Sequence, residues 1–308
     1  MYQVPPSTAQ PPSTHSLPPS YPPTPIPADP LFQLLRPERL TAVVDIGANP
    51  IDSQPPYHGL LRAGLCTLVG FEPQRAALEL LQQRKGPREM YLPHAIGDGS
   101  MQTLHVCRGT GMTSLLKPDP RSLALFRVVG EAGRVVGTEV LPTRTLDSVE
   151  EVRAIDLLKI DVQGSELAVF RSGRAKLAGA VAVQTEVSWF PLYENQPTIG
   201  DIDLELRGQG FLPHAMADLK RWTIAPLVVA NDPRRPLNQL LESDLVYVRD
   251  IRTVESWTDE QLRHMAMIAH HCYRSFDLAL HCMVALERRG RLALGIQQRY
   301  LGMLPRQA

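Results

Sequence analysis

Cysteine is scarce in this sequence, and none of it is spaced for metal or redox chemistry. Its four thiols, Cys66, Cys107, Cys272 and Cys282, include no C-x-x-C pair, so zinc ribbons and dithiol redox centres are excluded. A basic surplus is also lacking, since 32 Lys and Arg against 32 Asp and Glu give a formal net charge of zero. A nucleic-acid binder has to neutralise phosphates, so no nucleic acid is expected as a partner. No apolar stretch approaches the roughly 18 residues that a spanning helix needs, and no charged start leads into an apolar segment of secretory type. No membrane span and a reducing, cytoplasmic location are therefore expected. The glycine fingerprint G-x-G-x-x-G is missing too, which counts against a pyrophosphate-binding dehydrogenase.

What is present suits one α/β domain with appendages: 308 residues, 44% apolar and 21% charged. Residues 1–30 hold eleven of the 28 prolines among Ser and Thr. Such a segment buries too little surface to offset its ordering entropy, which predicts a disordered Pro-rich leader, either a plain tail or a docking motif for a proline-binding partner. A folded domain is expected over 31–253. Within it, apolar runs at 42–46, 67–71, 90–96, 157–162 and 181–187 are apolar on both faces, as parallel strands covered by helices are. Helices are expected at 75–84 and 166–177. Late strands at 222–229 and 245–249 would add an antiparallel edge. The reading is a mostly parallel Rossmann-like sheet with helices on both faces.

Residues 254–308 form a helical extension in this reading. Leu262, Met265, Ala269, Cys272, Phe276, Ala279, Met283 and Leu286 follow 3,4 spacing, which predicts one stripe on a single long helix. That stripe either packs on the protein's own domain or pairs with a second copy in a homodimer. His264, His271 and Cys282 stand too far apart on such a helix to share an ion, and no metal site is assigned.

The chemistry should sit where strands end. Residues 43–49, V-V-D-I-G-A-N, run from a strand into a turn of small and polar residues, where a glycine lets the backbone approach a nucleotide. The next strand ends G-F-E-P, placing Glu72 25 residues after Gly47, where a carboxylate can accept hydrogen bonds from ribose hydroxyls. Asp98, in A-I-G-D-G, is either an acceptor for an adenine amine or a turn residue. The segment 156–167 repeats the design of strand, acid and glycine turn, and delivers Asp161 to the same edge; Glu166 suits the first turn of the helix that follows. Asp161 is a general base, a metal ligand or a structural contact. Glu186, His94 and, with less support, His214 are further candidates for the base. The tract 189–193, W-F-P-L-Y, lines an acceptor pocket or caps the core.

Together these pieces resemble the FkbM family of methyltransferases, over about residues 40–250. The matching motifs are V-V-D-I-G-A-N, G-F-E-P, A-I-G-D, T-L-D-S at 145–148, L-L-K-I-D-V-Q-G-S-E at 157–166, E-V-S-W-F-P-L-Y at 186–193 and the pair Gly210-Phe211. The resemblance implies a class I methyltransferase fold that binds S-adenosylmethionine and transfers its methyl group, in most members to a hydroxyl oxygen. Carried over, Asp45, Gly47, Ala48 and Asn49 cradle the methionine part, Glu72 the ribose and Asp98 the adenine. The sequence departs from the family pattern twice. The loop after Asn49 reads P-I-D-S-Q-P-P-Y-H where a second glycine is usual, and Gln163 replaces a usual Glu. The expected acceptor is a small molecule or a glycan. Two other readings stay open: a non-catalytic cofactor-binding scaffold, and a nicotinamide-dependent oxidoreductase.

Overall fold

Strands apolar on both faces have to be covered on both, and the chain does this with helices on either side of one sheet. The computed structural model describes residues 27–49 and 54–304. Most of the expected leader and the loop residues 50–53 lie outside the described residues. The strands are β1 (Thr41–Ile46), β2 (Cys66–Phe71), β3 (Glu89–Leu92), β4 (Ala95–Ile96), β5 (Met101–Cys107), β6 (Val135–Arg144), β7 (Leu157–Ile160), β8 (Ala182–Ser188), β9 (Phe211–Trp222) and β10 (Gln239–Arg249). Seven of them form the main sheet in the order β3-β2-β1-β7-β8-β10-β9. The pairs from β3 to β8 are parallel, and β10 runs antiparallel to both β8 and β9. The expected parallel sheet with an antiparallel edge is the architecture found.

Alternation along the strands divides the interior in two. Val44, Ile46, Leu158, Ile160 and Val183 pack with Phe170 and Leu206 on one face of the sheet. Val43, Leu157, Ala182, Val246 and Val248 pack on the other, against the helices Asp259–His271 and Phe276–Arg288. The chain order of the strands brings the ends of β1, β2 and β7 to one edge, with β1 central. In a doubly wound sheet that edge is where ligands bind.

Three expectations are corrected. The run 90–96 is not one strand: Pro93 has no N–H to donate, β3 ends at Leu92, and β4 pairs with β6 in a separate sheet of order β4-β6-β5. The run 222–229 is not a strand either, because β9 ends at Trp222 and the apolar residues after it form a loop. The C-terminal stripe, finally, does not lie on one long helix. The chain breaks after His271, Arg274 takes a left-handed φ of 53°, and the second helix doubles back, so both halves of the stripe enter the same core. Leu262, Met265, Met283 and Leu286 are fully buried there. Exposing them for a dimer would cost about 1.5–3 kcal/mol each, so the stripe is not available for the homodimer considered above.

Candidate active site

β1 ends in a turn whose shape depends on Gly47. Its φ of +83° is left-handed, and a Cβ placed there would stand 1.9 Å from the Asp161 carbonyl oxygen at the end of β7. Only glycine lets the two strand ends approach so closely. The N–H groups of Gly47 and Ala48 both donate to Phe71 O, at 3.0 Å, and fix the turn against β2. A cleft opens at this junction, lined by Gly47, Asn49, Glu72, His94, Asp161, Gln163 and Ser165, with Thr110, Thr113 and Ser114 also on its wall. It encloses roughly 680 Å³ of atom-free space, open solvent at its mouth included.

Glu72 is buried at the end of β2. One oxygen accepts the Gln74 N–H at 2.7 Å; the other makes no hydrogen bond among the described residues. Burial raises this carboxyl to about 7, with the Asp45 charge adding to the effect and the Gln74 N–H opposing it.

Asp45 lies beneath the turn on the opposite face from Ile46, and it is not part of the cleft wall. Its Oδ2 accepts the Tyr57 hydroxyl at 2.5 Å and its Oδ1 is 3.4 Å from Lys159 Nζ. Oδ1 is buried without a hydrogen-bond partner among the described residues. Burial works against the charge on Lys159, but the surrounding carboxylates of Asp45, Asp161 and Asp244 outweigh it and hold its pKa above the ordinary value. Ala48 is buried behind the turn and packs against Gly70.

The structure does not bring Asp98 to this edge. It lies beyond β4, in the smaller sheet, exposed, and its carboxylate accepts from Ser100 N at 2.9 Å and Ser100 Oγ at 2.7 Å. Those bonds hold its pKa below the usual range. Asp98 is a turn residue, and the adenine role expected of it is withdrawn. His94 does line the cleft, yet its Nε2 sits 3.2 Å from Arg144 Nη1, and burial together with that guanidinium lowers its pKa. His214 is elsewhere, bonded to Ser275 Oγ at 2.9 Å.

Asp161 and Glu186 are brought together by Gln163. Its Nε2 donates to Asp161 Oδ1 at 2.7 Å and to Glu186 Oε2 at 3.0 Å, while its Oε1 accepts the Tyr193 hydroxyl at 3.2 Å. Gln163 holds a φ of +56°, a left-handed conformation that non-glycine residues seldom adopt and that recurs at functional sites. Glu166 closes the turn from below, accepting from Val162 N and Gly164 N at 2.9 and 3.1 Å. Burial raises its carboxyl to about 7.

The sheet register extends this cluster into a polar band on one face. Asp45 stands opposite Lys159 and Lys159 opposite Gln184; Glu186 stands opposite Asp244, and Glu242 opposite both Ser188 and Lys220. Lys220 Nζ reaches Glu186 Oε1 at 2.8 Å and Glu242 Oε2 at 3.4 Å. Burial, together with the charges of Asp161 and Glu242, drives the Glu186 carboxyl well above its ordinary value, and Lys220 opposes them. Trp189 donates its indole N–H to Ser243 Oγ at 2.8 Å, and Leu192 and Tyr193 are buried in a small core with Phe126. The tract 189–193 therefore caps the core, and Tyr193 alone extends its hydroxyl to Gln163.

Compared with known sequences, the chain matches the methyltransferase FkbM domain over residues 45–213. The chain belongs to the FkbM methyltransferase family. Lys220 and Glu242 fall beyond the matched residues. Family membership makes it a methyltransferase dependent on S-adenosylmethionine and sets aside the nicotinamide reading. No curated protein matches the chain.

Among solved structures, the magnesium protoporphyrin IX methyltransferase of Synechocystis PCC 6803 aligns at 12% identity over 71% of this chain and 76% of that one, with a TM-score of 0.34. The precorrin-6y C5,15-methyltransferase of Geobacter metallireducens aligns at 10% over 71% and 86%, TM-score 0.32. TrmK of M. capricolum aligns at 8% over 91% and 100%, TM-score 0.34. Scores this low assign neither a substrate nor a site to this chain.

The residues present fit the cofactor. Glu72 borders the cleft with a carboxylate oxygen that has no hydrogen-bond partner among the described residues, and the Gly47 turn leaves the cleft floor free of side chain.

Proposed function

We propose that the chain methylates a hydroxyl oxygen of a small-molecule or glycan acceptor, using Asp161 and Glu186 as the group that takes the hydroxyl proton. The observation that carries this reading is the Asp161 carboxylate at the wall of the cleft, joined through Gln163 to the buried Glu186 behind it. When bound, S-adenosylmethionine supplies an electrophilic methyl group. An alcohol is a poor nucleophile until its proton has somewhere to go, so a base at the acceptor side is the main chemical requirement on the protein. Asp161 lines the cleft and takes the proton; Glu186, one amide away and raised in pKa, shares it. Lys220, 2.8 Å from Glu186 Oε1, sets a positive charge beside the pair. His94 is assigned to the cleft wall, since Arg144 occupies its Nε2. Glu72 holds the ribose, Gly47 and Asn49 border the methionine part, and the rim at His94, Ala95 and Ile96 borders the adenine.

Transfer of labelled methyl from S-adenosylmethionine to a panel of hydroxylated acceptors tests the reading, with cofactor affinity followed by calorimetry. Asp161→Asn is expected to slow transfer by about 10²–10⁴-fold with cofactor affinity retained. A product methylated on nitrogen or carbon, or an unchanged rate in this variant, removes the assignment.

A further inference from the structure

Between β9 and β10 the chain runs through residues 223–238 without a helix or strand. Positions 224–230 read I-A-P-L-V-V-A, and none of them is buried; Ile224 is 46% and Leu227 56% exposed. A consecutive apolar run at the surface lowers solubility unless something covers it. The run is tied down at several points. Ala225 N donates to Leu125 O at 2.8 Å, Arg127 Nη2 to Pro226 O at 3.3 Å, and Thr223 Oγ1 to Arg235 O at 2.7 Å. The first of these contacts sets the exposed Leu125 beside the run, and Leu237, also exposed, follows it in the same connection.

Arginines frame the run on every side. Arg221 precedes it, Arg234 and Arg235 follow it, and Arg121 and Arg127 project from the segment it leans on; all five are exposed. The acids of these segments are engaged locally. Asp119 caps the helix Pro120–Leu123 and pairs with Arg121 at 3.4 Å, Glu131 pairs with Arg108, and Asp232 accepts the Arg234 N–H. In a chain of zero net charge this is a local positive surplus around an aliphatic tip. Arg127 also borders a neighbouring surface cleft that Lys117 and Arg134 line.

The geometry points to this loop as an anchor for an anionic lipid surface: Leu227 and its neighbours enter the interfacial layer while the flanking arginines meet the headgroups. A protein interface would bring aromatic anchors and a rim of mixed charge. Here the exposed large apolar side chains are aliphatic and the frame is basic. The anchor shares one hairpin with Lys220, the residue next to Arg221, so docking would hold the carboxylate band close to the bilayer.

The test is co-sedimentation of the 308-residue chain with vesicles of mixed phosphatidylcholine and phosphatidylglycerol, and with phosphatidylcholine alone. Binding to the mixed vesicles is expected, weakening as salt is raised, with little binding to the neutral ones. Arg234→Ala with Arg235→Ala should weaken it about thirtyfold, and Leu227→Asp about tenfold or more, while cofactor affinity by calorimetry and the melting temperature stay at wild-type values. No binding to the anionic vesicles at low salt overturns the proposal, as does binding that Leu227→Asp leaves intact. Self-association without lipid that Leu227→Asp abolishes would assign the surface to a second copy and overturn it equally.

Discussion

Gln163 donates its side-chain amide to Glu186 across 3.0 Å, and the same nitrogen reaches Asp161 at 2.7 Å. An amide can hold two carboxylates side by side because it brings donors without charge. The glutamate usual at this position in the family would add a third negative group to a site where burial already penalises ionisation.

Gln163→Glu is therefore expected to make stability more sensitive to pH. The introduced carboxyl, crowded by Asp161 and Glu186, would have a folded pKa above its unfolded value. The native state then binds more protons than the unfolded one, and stability falls as pH rises. Melting curves of variant and wild type should nearly coincide at about pH 4 and separate by about 1–3 kcal/mol toward neutrality. A constant gap at all pH values would show that the new carboxyl escapes its neighbours.

Gln163→Leu probes the same bridge differently. It removes the donor from both carboxylates, while the Tyr193 hydroxyl keeps the Met112 carbonyl at 3.1 Å; the buried Glu186 Oε2 loses its donor, and leaving a buried polar group unpaired costs about 1–3 kcal/mol. Urea unfolding measures the loss, and an undiminished midpoint would mean that water replaces the amide.

Lys159 sits in the middle of a strand that is otherwise apolar, and its partner Asp45 is enclosed by Tyr57. Lys159→Met should destabilise the fold by about 3–5 kcal/mol, because a buried carboxylate loses its counter-charge. Adding Asp45→Asn to that variant should restore much of the loss. If the double variant unfolds as readily as the single one, the ion pair is not the cause.

Much of this was legible in the sequence, and the exceptions have identifiable reasons. β1, β2, β7 and β8 were readable because strands buried on both faces leave mostly apolar runs, broken in each only by a few polar residues. The helix Arg75–Arg84 matched its expected limits, with Pro73 just ahead of it. β5 and β6 were missed because they belong to a separate small sheet, with two α-helices between them in the chain, and residues 135–140 of β6 are exposed, so no buried face marks that strand. Lys159 could have been singled out, being a lone charge inside L-L-K-I. Lys220 and Glu242 could not, since only the register of β9 on β10 sets them opposite each other. Asp98 was misplaced because its motif spacing is right while the chain, at Pro93, leaves the sheet that the spacing presumes.

Gly47→Ala should uncouple the strand ends. The left-handed φ and the 1.9 Å approach to the Asp161 carbonyl leave no room for a methyl group, so the turn has to move. A residue forced into this region costs of order 1–3 kcal/mol before any steric term. Both the melting temperature and the affinity for S-adenosylmethionine are expected to fall. A variant that binds the cofactor normally would place the Gly47 turn outside the binding surface.

Glu72 supplies the clearest link between pH and cofactor. Its carboxyl is raised from an ordinary 4.5 to about 7, chiefly by burial. Between those values the native protein keeps a proton that the unfolded chain has lost, so stability declines across that window and levels off above it, by at most about 3 kcal/mol. Glu72→Gln, which cannot ionise, should melt higher than wild type above pH 7 and lack the decline. Ribose hydroxyls donate to the ionised form, so cofactor binding should release a proton and tighten as pH rises toward 7. In Glu72→Gln the affinity should be weaker by about 1.5–3 kcal/mol and flat with pH. Calorimetry in buffers of different ionisation enthalpy reads the released proton directly, and binding without proton release below pH 7 would take the ribose contact away from Glu72.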